Sequence, residues 1–213
     1  MITDERRARE YVAGLADAEA VERLELLIRE LIGENRKQNL ISHSSEQNVW
    51  QRHIADSAQL LRFVPRETPG PWIDLGTGAG FPGLVIATLC PQIPVILVES
   101  RIRRVEWLTR MVEILGLANC RVEGKRLELV EPFEARVISA RAFAPLPKLL
   151  RLSAPFSTSA TAYLLPKGRS AAQELAEMPT KIRAVFHVEQ SLTDSDAGII
   201  VRIPSATGGV PSP

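Results

Sequence analysis

The sequence predicts an α/β protein in which a mostly parallel sheet of seven strands carries a helical extension at its N-terminus. Three observations predict this fold. Apolar side chains recur at helical spacing before residue 65, short apolar segments alternate with helical segments from residue 70 onwards, and a glycine-rich loop follows the first short segment. Continuous apolar strands are typical of a parallel sheet, because helices cover both of its faces.

The N-terminal region is predicted to be helical in two stretches. The first is residues 4–33, in which apolar positions from Val21 to Ile32 follow one stripe, and residues 49–64 form the second. The second stretch ends before Pro65, because a residue that precedes proline disfavours the helical conformation. The turn-rich segment "PRETPGP" follows, so we assign residues 1–69 to the extension and residues 70–204 to the core.

Strands and helices alternate through the core. The predicted strands are residues 71–76, 94–99, 120–124, 135–141, 160–168, 181–190 and 198–204. The predicted helices are residues 82–90, 100–116, 146–156 and 171–178. Ser100 is the expected N-cap of the second of these helices. The last two strands have no helix between them and are expected to pair antiparallel, and the tail at 205–213 is expected to be disordered.

Composition excludes several classes of protein. With 45% hydrophobic and 24% charged residues, the chain has the composition of a folded domain. It contains no apolar run long enough to span a membrane, and its charged beginning does not resemble a signal peptide. Cys90 and Cys120 lack the spacing of a metal site or a disulfide framework. We therefore expect a cytoplasmic protein with reduced thiols, no metal and no membrane contact.

Charge is unevenly distributed along the chain. The net charge is −4 over residues 1–100, +7 over 101–170 and −2 over 171–213. A basic middle segment beside a nucleotide-type loop suggests an anionic partner such as RNA or DNA. The alternative is a set of solvated helix faces whose charges balance in space.

The glycine loop lies within "WIDLGTGAGFPGLVIA", directly after the first core strand. Ligands of open α/β sheets bind at the carboxyl ends of strands, so this loop marks the binding edge. Gly76, Gly78 and Gly80 have one-residue spacing, unlike the dinucleotide fingerprint. Because Gly80 and Gly83 do have a two-residue gap, spacing alone leaves a dinucleotide open.

Asp74 favours a different cofactor. A carboxylate two residues before the first glycine would repel a pyrophosphate, whereas S-adenosylmethionine has no phosphate and carries a sulfonium and an ammonium. Asp74 would favour this cationic end directly or through water. Glu99, which ends the next strand, is placed to accept both ribose hydroxyl groups. The alternatives are a helix-capping or loop-ordering role for Asp74 and a solvent-exposed carboxylate for Glu99.

Five motifs together resemble one family. They are "RHIADS", "DLGTGAGFPGLVIA", "ESRIRRVEWL", "ARAFAPL" and "YLLPKG". In this order and spacing they resemble the glucose-inhibited division protein B family, whose bacterial members methylate guanine N7 in small-subunit (16S) ribosomal RNA. The resemblance runs from about Asn39 to Gly168. It implies the Rossmann-like fold of class I S-adenosylmethionine-dependent methyltransferases, with the last strand pair antiparallel.

The resemblance also implies roles for individual residues. Cofactor contacts would include Gly76, Phe81, Leu127, Glu128 and Arg141, beside Asp74, Gly78 and Glu99 from the reasoning above. Residues that position the RNA would be Arg126, Arg141 and Lys167. Without the family, a structural ion pair for Arg141 and a solvent-exposed lysine in a turn for Lys167 are the simpler interpretations.

The sequence lacks motifs that other kinds of base methylation require, and N7 methylation needs none of them. Guanine N7 has a lone pair and no proton, so its attack on a sulfonium methyl needs alignment and no general base. The segment "SARAFAPL" after the fourth strand lacks the Asn/Asp-Pro-Pro-Tyr/Phe loop of exocyclic-amine methyltransferases, and neither cysteine is placed as a nucleophile. His53 is expected to be a satisfied interface histidine.

The sequence thus predicts an S-adenosylmethionine-dependent 16S rRNA (guanine-N7)-methyltransferase that acts on the assembled small ribosomal subunit as a monomer. Three alternatives stay open at this stage. They are a methyltransferase of another substrate on the same fold, a non-catalytic RNA-binding protein of ribosome assembly, and a nicotinamide-dependent oxidoreductase.

Overall fold

The computed structural model describes residues 1–65 and 68–204, and these form a seven-stranded sheet of order β3-β2-β1-β4-β5-β7-β6. The strands are β1 Trp72–Leu75, β2 Val95–Val98, β3 Cys120–Glu123, β4 Val137–Ser139, β5 Ala162–Gly168, β6 His187–Gln190 and β7 Gly198–Arg202. Strands β1 to β5 pair parallel, while β7 runs antiparallel to β5 and β6. The predicted fold class and the antiparallel last pair are confirmed.

The strand order reverses at β1, which pairs with β2 on one side and β4 on the other. A parallel sheet binds its ligands at such a switch point, outside the carboxyl ends of the strands. The segments that follow β1, β2 and β4 therefore meet at one edge of the sheet. These segments begin at Gly76, Glu99 and Ala140.

Eight α-helices are present in the described residues. They are α1 Glu5–Ala13, α2 Ala18–Asn35, α3 Asp56–Ala58, α4 Gly83–Leu89, α5 Ile102–Ile114, α6 Leu146–Ser153, α7 Ala171–Ala176 and α8 Thr180–Arg183. The stretch predicted at residues 4–33 is thus two helices. The carboxylates of Asp4 and Asp17 cap them by accepting hydrogen bonds from Arg7 N and Ala20 N, each at 2.8 Å.

The stretch predicted at residues 49–64 is helical but irregular. It contains a π-helix, Trp50–Ala55, then α3 and a 3₁₀ turn, Gln59–Arg62, and a 3₁₀ helix, His43–Asn48, precedes it. Side chains form hydrogen bonds with backbone groups of this stretch. The Glu5 carboxylate accepts from the backbone N–H groups at the start of the π-helix, and Ser57 Oγ donates to a carbonyl within it at 2.6 Å. Single π-turns of this kind are frequent at functional sites.

One predicted strand begins too early. Residues 181–190 were expected to be extended, but the first of them belong to α8, and only β6 is strand. The carbonyl of Pro179 accepts hydrogen bonds from Ile182 N and Arg183 N, which closes a helical turn before the strand can start. The expectation of a continuous strand was therefore wrong at its N-terminal half.

Apolar side chains cover both faces of the sheet. On one face, Leu24 and Leu31 of α2 pack in the same buried cluster as Trp72 and Leu84. The neighbouring residue Ile73 points to the other face and joins a second cluster with α6 and α7. The extension therefore shares its core with the sheet. The division at residue 69 remains a prediction; residues 66 and 67 beside it, and the tail predicted to be disordered at 205–213, lie outside the described residues.

Candidate active site

The glycine loop begins where β1 ends. Gly76, Gly78 and Gly80 all have positive φ, at +62°, +61° and +105°. A Cβ atom on Gly76 would lie 2.5 Å from Phe143 Cδ2, so a side chain there is excluded by space as well as by conformation. The loop thus brings bare backbone against the segment that follows β4.

Asp74 lies beneath this loop and is fully buried. Its Oδ1 accepts a hydrogen bond from Ser139 Oγ at 2.7 Å, and its Oδ2 accepts one from Gly83 N at 3.0 Å, at the start of α4. Burial raises the pKa of this carboxyl group. No surface of Asp74 is open for a direct ligand contact, so of the two routes that the sequence suggested only the one through water stays a prediction. These hydrogen bonds also fit the alternative, a residue that orders the loop.

Glu99 links the loop to helix α5. Its Oε1 accepts from Ser100 N at 2.7 Å and Arg101 N at 2.9 Å, and its Oε2 accepts from Gly78 N at 3.2 Å. Ser100 was expected to cap α5, but no side chain in the described part of the chain caps the helix, and Glu99 accepts from the two N–H groups that precede it. Since an ionised carboxylate oxygen can accept two hydrogen bonds, Oε2 keeps capacity for a hydroxyl group of a ligand.

A cavity of about 500 Å³ opens beside these residues. We call it the glycine-loop cavity, and its lining includes Gly76, Glu99, Arg126, Leu127, Glu128 and Phe143. Among the predicted cofactor residues, Gly76, Glu99, Leu127 and Glu128 are therefore brought together. Asp74, Gly78, Phe81 and Arg141 are not part of this lining. Arg126, predicted to position RNA, lies in this cavity instead of the one beside Arg141.

The second cavity has a volume of about 690 Å³ and adjoins the first. We call it the Arg141 cavity, and its lining includes Arg52, His53, Asp56, Arg141, Lys167 and Asp194. Residues 142–144 line both cavities and form the wall between them. Ala142 in this wall has a φ of +53°, a conformation that is strained for a residue with a Cβ atom.

Arg141 is held by a stack of rings. The His53 ring lies parallel to that of Phe81 at 5.0 Å between centroids, and Arg141 Cζ lies 5.4 Å from the Phe81 centroid. Arg141 Nη2 is 3.1 Å from His53 Nδ1, and Nη1 donates to Arg52 O at 3.3 Å. Phe81, predicted to contact the cofactor, is buried in this stack. The stack fixes the guanidinium in the Arg141 cavity.

Burial and two neighbouring guanidinium groups lower the pKa of His53 to about 3. The imidazole is therefore neutral near pH 7. A guanidinium can only donate, so Nδ1 is the acceptor and Nε2–H donates to Ser45 Oγ at 3.0 Å. His53 is a satisfied histidine, as expected, although it lies at the site.

Lys167 supports the wall between the cavities. Its side chain is only 7% exposed, and Nζ donates to Ala144 O at 2.7 Å and pairs with Glu174 Oε2 at 2.9 Å. This is neither the solvent-exposed lysine of the simpler interpretation nor a side chain that reaches outward. Its ammonium group lies against the carbonyl of Ala144, at the edge of the Arg141 cavity.

Sequence reasoning did not place Asp56, Phe143 or Arg104 in the site. Asp56 lines the Arg141 cavity, and Phe143 and Arg104 line the glycine-loop cavity. All three stand inside motifs that were noticed for another reason, "RHIADS", "ARAFAPL" and "ESRIRRVEWL". The signal that could have found Asp56 is a carboxylate three residues after the histidine of that motif.

The residues of the glycine-loop cavity fit S-adenosylmethionine. Glu99 Oε2 can accept a ribose hydroxyl, Leu127 offers an apolar surface to a base, and Gly76 allows a close approach of backbone. The described residues contain no group of three or more His, Cys, Asp or Glu side chains that could hold a metal ion. No helix of the described part is long and apolar enough to cross a membrane.

The fold and this cavity define a class I S-adenosylmethionine-dependent methyltransferase. A variant of MtNAS solved with S-adenosylmethionine matches 95% of this chain over 85% of its own, with a TM-score of 0.56 and 16% identity. A putative O-methyltransferase from Klebsiella pneumoniae matches 84% of this chain over 90% of its own, with a TM-score of 0.57 and 14% identity. At such identities these likenesses show the fold.

The family follows from sequence comparison. Residues 20–198 match the model of the GidB family, described as rRNA small subunit methyltransferase G. The ribosomal RNA small subunit methyltransferase G of Erythrobacter litoralis is 62% identical over 201 residues, covering 94% of this chain and 97% of its own. That of Novosphingobium aromaticivorans is 54% identical over 187 residues, covering 87% and 81%. The chain belongs to the GidB family, which confirms the resemblance.

Proposed function

We propose that this protein transfers the methyl group of S-adenosylmethionine to N7 of a guanine in 16S ribosomal RNA. The observation that carries the proposal is the pair of cavities that meet at residues 142–144. One cavity suits the cofactor and the other is open to a base. The wall at their junction is Ala-Phe-Ala and carries no titratable side chain.

The glycine-loop cavity would hold the cofactor through residues named above. Glu99 would accept a ribose hydroxyl, Leu127 and Glu128 would lie beside the adenine, and Gly76 would face the aminoacyl part. When bound, S-adenosylmethionine supplies an electrophilic methyl group on a sulfonium. The chain's own contribution is to hold the acceptor base in line with that methyl group, since alignment is the main requirement of the reaction.

The surroundings favour N7 over other acceptor atoms. N7 is a lone-pair nucleophile, so no residue has to remove a proton before attack. His53 cannot readily take a proton near pH 7, because its pKa is lowered to about 3. A cysteine-dependent attack on cytosine is disfavoured: Cys90 is fully buried, and burial raises the pKa of Cys120 to about 12.

Basic side chains around both cavities suit RNA. Arg101, Arg104, Lys125, Arg126 and Lys148 line the glycine-loop cavity, and Arg52 and Arg141 line its neighbour. Such residues would contact phosphates and fix the register of the RNA. Arg141 would in addition donate to guanine O6. We place the reaction on the small subunit in the cytoplasm, with the protein acting as a monomer.

The test uses small ribosomal subunits from cells that lack this protein and methyl-labelled S-adenosylmethionine. After incubation, borohydride reduction and aniline cleave RNA at N7-methylguanosine, because the fixed positive charge weakens that ring. Label in the RNA together with one new cleavage site is the expected result. Label without cleavage would overturn the N7 assignment, and no label with intact cofactor binding would favour another substrate or a non-catalytic role in ribosome assembly.

A further inference from the structure

One carboxylate in the Arg141 cavity has an oxygen with no hydrogen-bond donor. Asp56 Oδ1 accepts from Gln59 Nε2 and from Thr193 Oγ1, both at 2.8 Å. Asp56 Oδ2 accepts no hydrogen bond from the described residues, and the cation beside it, Arg141 Nη1, is 3.7 Å away. The Asp56 side chain is 20% exposed, so this oxygen can meet a ligand in the cavity.

The other two carboxylates of this lining are engaged at both oxygens. Asp194 accepts from Arg52 Nη1 and from Asp196 N, each at 3.0 Å. Glu174 accepts from Ser170 Oγ at one oxygen and from Leu146 N and Lys167 Nζ at the other. Among the described residues of the lining, Asp56 is therefore the acid that is ready to accept from a ligand.

Three groups of this cavity suit the edge of guanine. Ala142 of the wall follows Arg141 in the chain, and Arg141 Nη1 lies 3.7 Å from Asp56 Oδ2, so a neutral surface, a donor and an acceptor are neighbours. Around guanine, the N7 acceptor is followed by the O6 acceptor and then by the N1–H donor. With N7 at the wall, O6 would face Arg141 and N1–H would face Asp56.

We propose that Asp56 selects guanine by accepting a hydrogen bond from N1–H at Oδ2, while Arg141 donates one to O6. This inference rests on the proposed function, since it requires a guanine whose N7 faces the wall. Adenine presents a donor where Arg141 donates and a bare acceptor where Asp56 accepts. The pair therefore rejects adenine at two adjacent positions, and this makes Asp56 a specificity-determining residue.

Asp56 pairs with Arg141 at 3.7 Å, and three other groups also hold the guanidinium: the His53 ring nitrogen, the Arg52 carbonyl and the Phe81 ring. Asp56→Asn can therefore change the acceptor while the donor stays in place. The two donors on Oδ1 fix the new amide with its oxygen towards them, so the NH₂ group takes the place of Oδ2 and offers a donor to N1 of adenine.

The experiment compares subunits that carry guanine at the methylated position with subunits in which that nucleotide is adenine. The wild type, Asp56→Asn and Asp194→Asn are assayed for transfer of labelled methyl, and kcat/KM on each subunit gives a preference. We expect Asp56→Asn to lower the preference for guanine by about tenfold or more. Asp194→Asn, which removes the same charge from the same cavity, should keep the wild-type preference.

Each outcome has one meaning. Equal losses on both subunits, with the ratio unchanged, would give Asp56 a structural role and overturn the inference while N7 methylation by the wild type stands. Absence of N7-methylguanosine from the wild-type reaction would instead overturn the proposed function. Should Asp56→Asn not fold, the wild type is assayed on reconstituted subunits with 1-methylguanine at the position. We expect a rate at least tenfold lower, and a rate equal to that on guanine overturns the inference.

Discussion

Arg141 Nη2 and His53 Nδ1 lie 3.1 Å apart, and this contact fixes the imidazole as a neutral acceptor. A protonated His53 would present N–H against N–H, and it would do so in a buried position between two guanidinium groups. The same contact orients the guanidinium that would face guanine O6. Neutrality of His53 is therefore a condition for the geometry of the Arg141 cavity.

We expect this condition to appear in the pH dependence of stability. The pKa of His53 is about 3 in the folded protein, below its unfolded value of about 6.5, so the unfolded chain binds a proton that the folded chain does not. The free energy of unfolding should fall by about 1.4 kcal/mol from this group between pH 7.5 and 5.5. Urea unfolding of the wild type and His53→Gln measures it.

The His53→Gln variant should lack this fall in the free energy of unfolding between pH 7.5 and 5.5, whatever its stability at pH 7.5. An identical fall in the wild type and His53→Gln would contradict a neutral His53.

Glu99→Gln should weaken cofactor binding. The substitution keeps the size of the side chain but removes an acceptor that Oε2 would offer to a ribose hydroxyl, and it leaves one of three backbone N–H groups poorly paired. We expect S-adenosylmethionine affinity to fall by about tenfold, as for a lost hydrogen bond to a charged group. Calorimetric titration measures it. Glu106→Gln, on the exposed face of α5, is the control, and equal affinities for both variants would remove Glu99 from the cofactor site.

Gly76→Ala should disrupt the loop. The residue has a φ of +62°, and a Cβ atom would meet Phe143 Cδ2 at 2.5 Å. We expect a loss of about 1–3 kcal/mol in stability together with loss of S-adenosylmethionine binding. Gly33→Ala is the opposite case, because it lies within α2 with nothing near its Cβ position. That variant should be more stable by about 0.5–1 kcal/mol, and thermal melts with and without cofactor compare the two.

Lys167→Met should slow methyl transfer more than it weakens cofactor binding. Nζ holds the carbonyl of Ala144, and methionine keeps the apolar stem without that hydrogen bond. We expect the rate on subunits to fall by about tenfold, since small misalignment of reacting groups is costly, while calorimetric affinity stays within about twofold. Arg169→Met, which breaks an exposed ion pair nearby, is the comparison. Equal losses of rate and affinity in Lys167→Met would place Lys167 in the cofactor site.

Much of the core could be predicted because its strands are short apolar segments bounded by turns. β1 and β2 are buried at every position, and their sequences contain little that competes with a strand. The residues before 65 were harder. The π-helix there depends on Glu5, which is distant in sequence, and no local periodicity encodes such a contact.

The site was partly predictable for the same reason. Gly76 and Glu99 follow their strands directly, so topology brings them together. Asp74, by contrast, accepts one hydrogen bond from Ser139 of β4 and another from Gly83 at the start of α4. The sequence alone does not distinguish such a buried carboxylate from one that faces a ligand. The position of Arg141 in the second cavity depends on His53, 88 residues earlier.

The second cavity draws on two separate parts of the chain. Ser45, His53 and Asp56 come from the segment before Pro65, whereas every described residue that lines the glycine-loop cavity lies between Gly76 and Leu152. With the proposed roles, substitutions in the early segment change which base is accepted without altering the affinity for the methyl donor. Selection can then act on the choice of base and on the binding of the methyl donor through separate sets of codons.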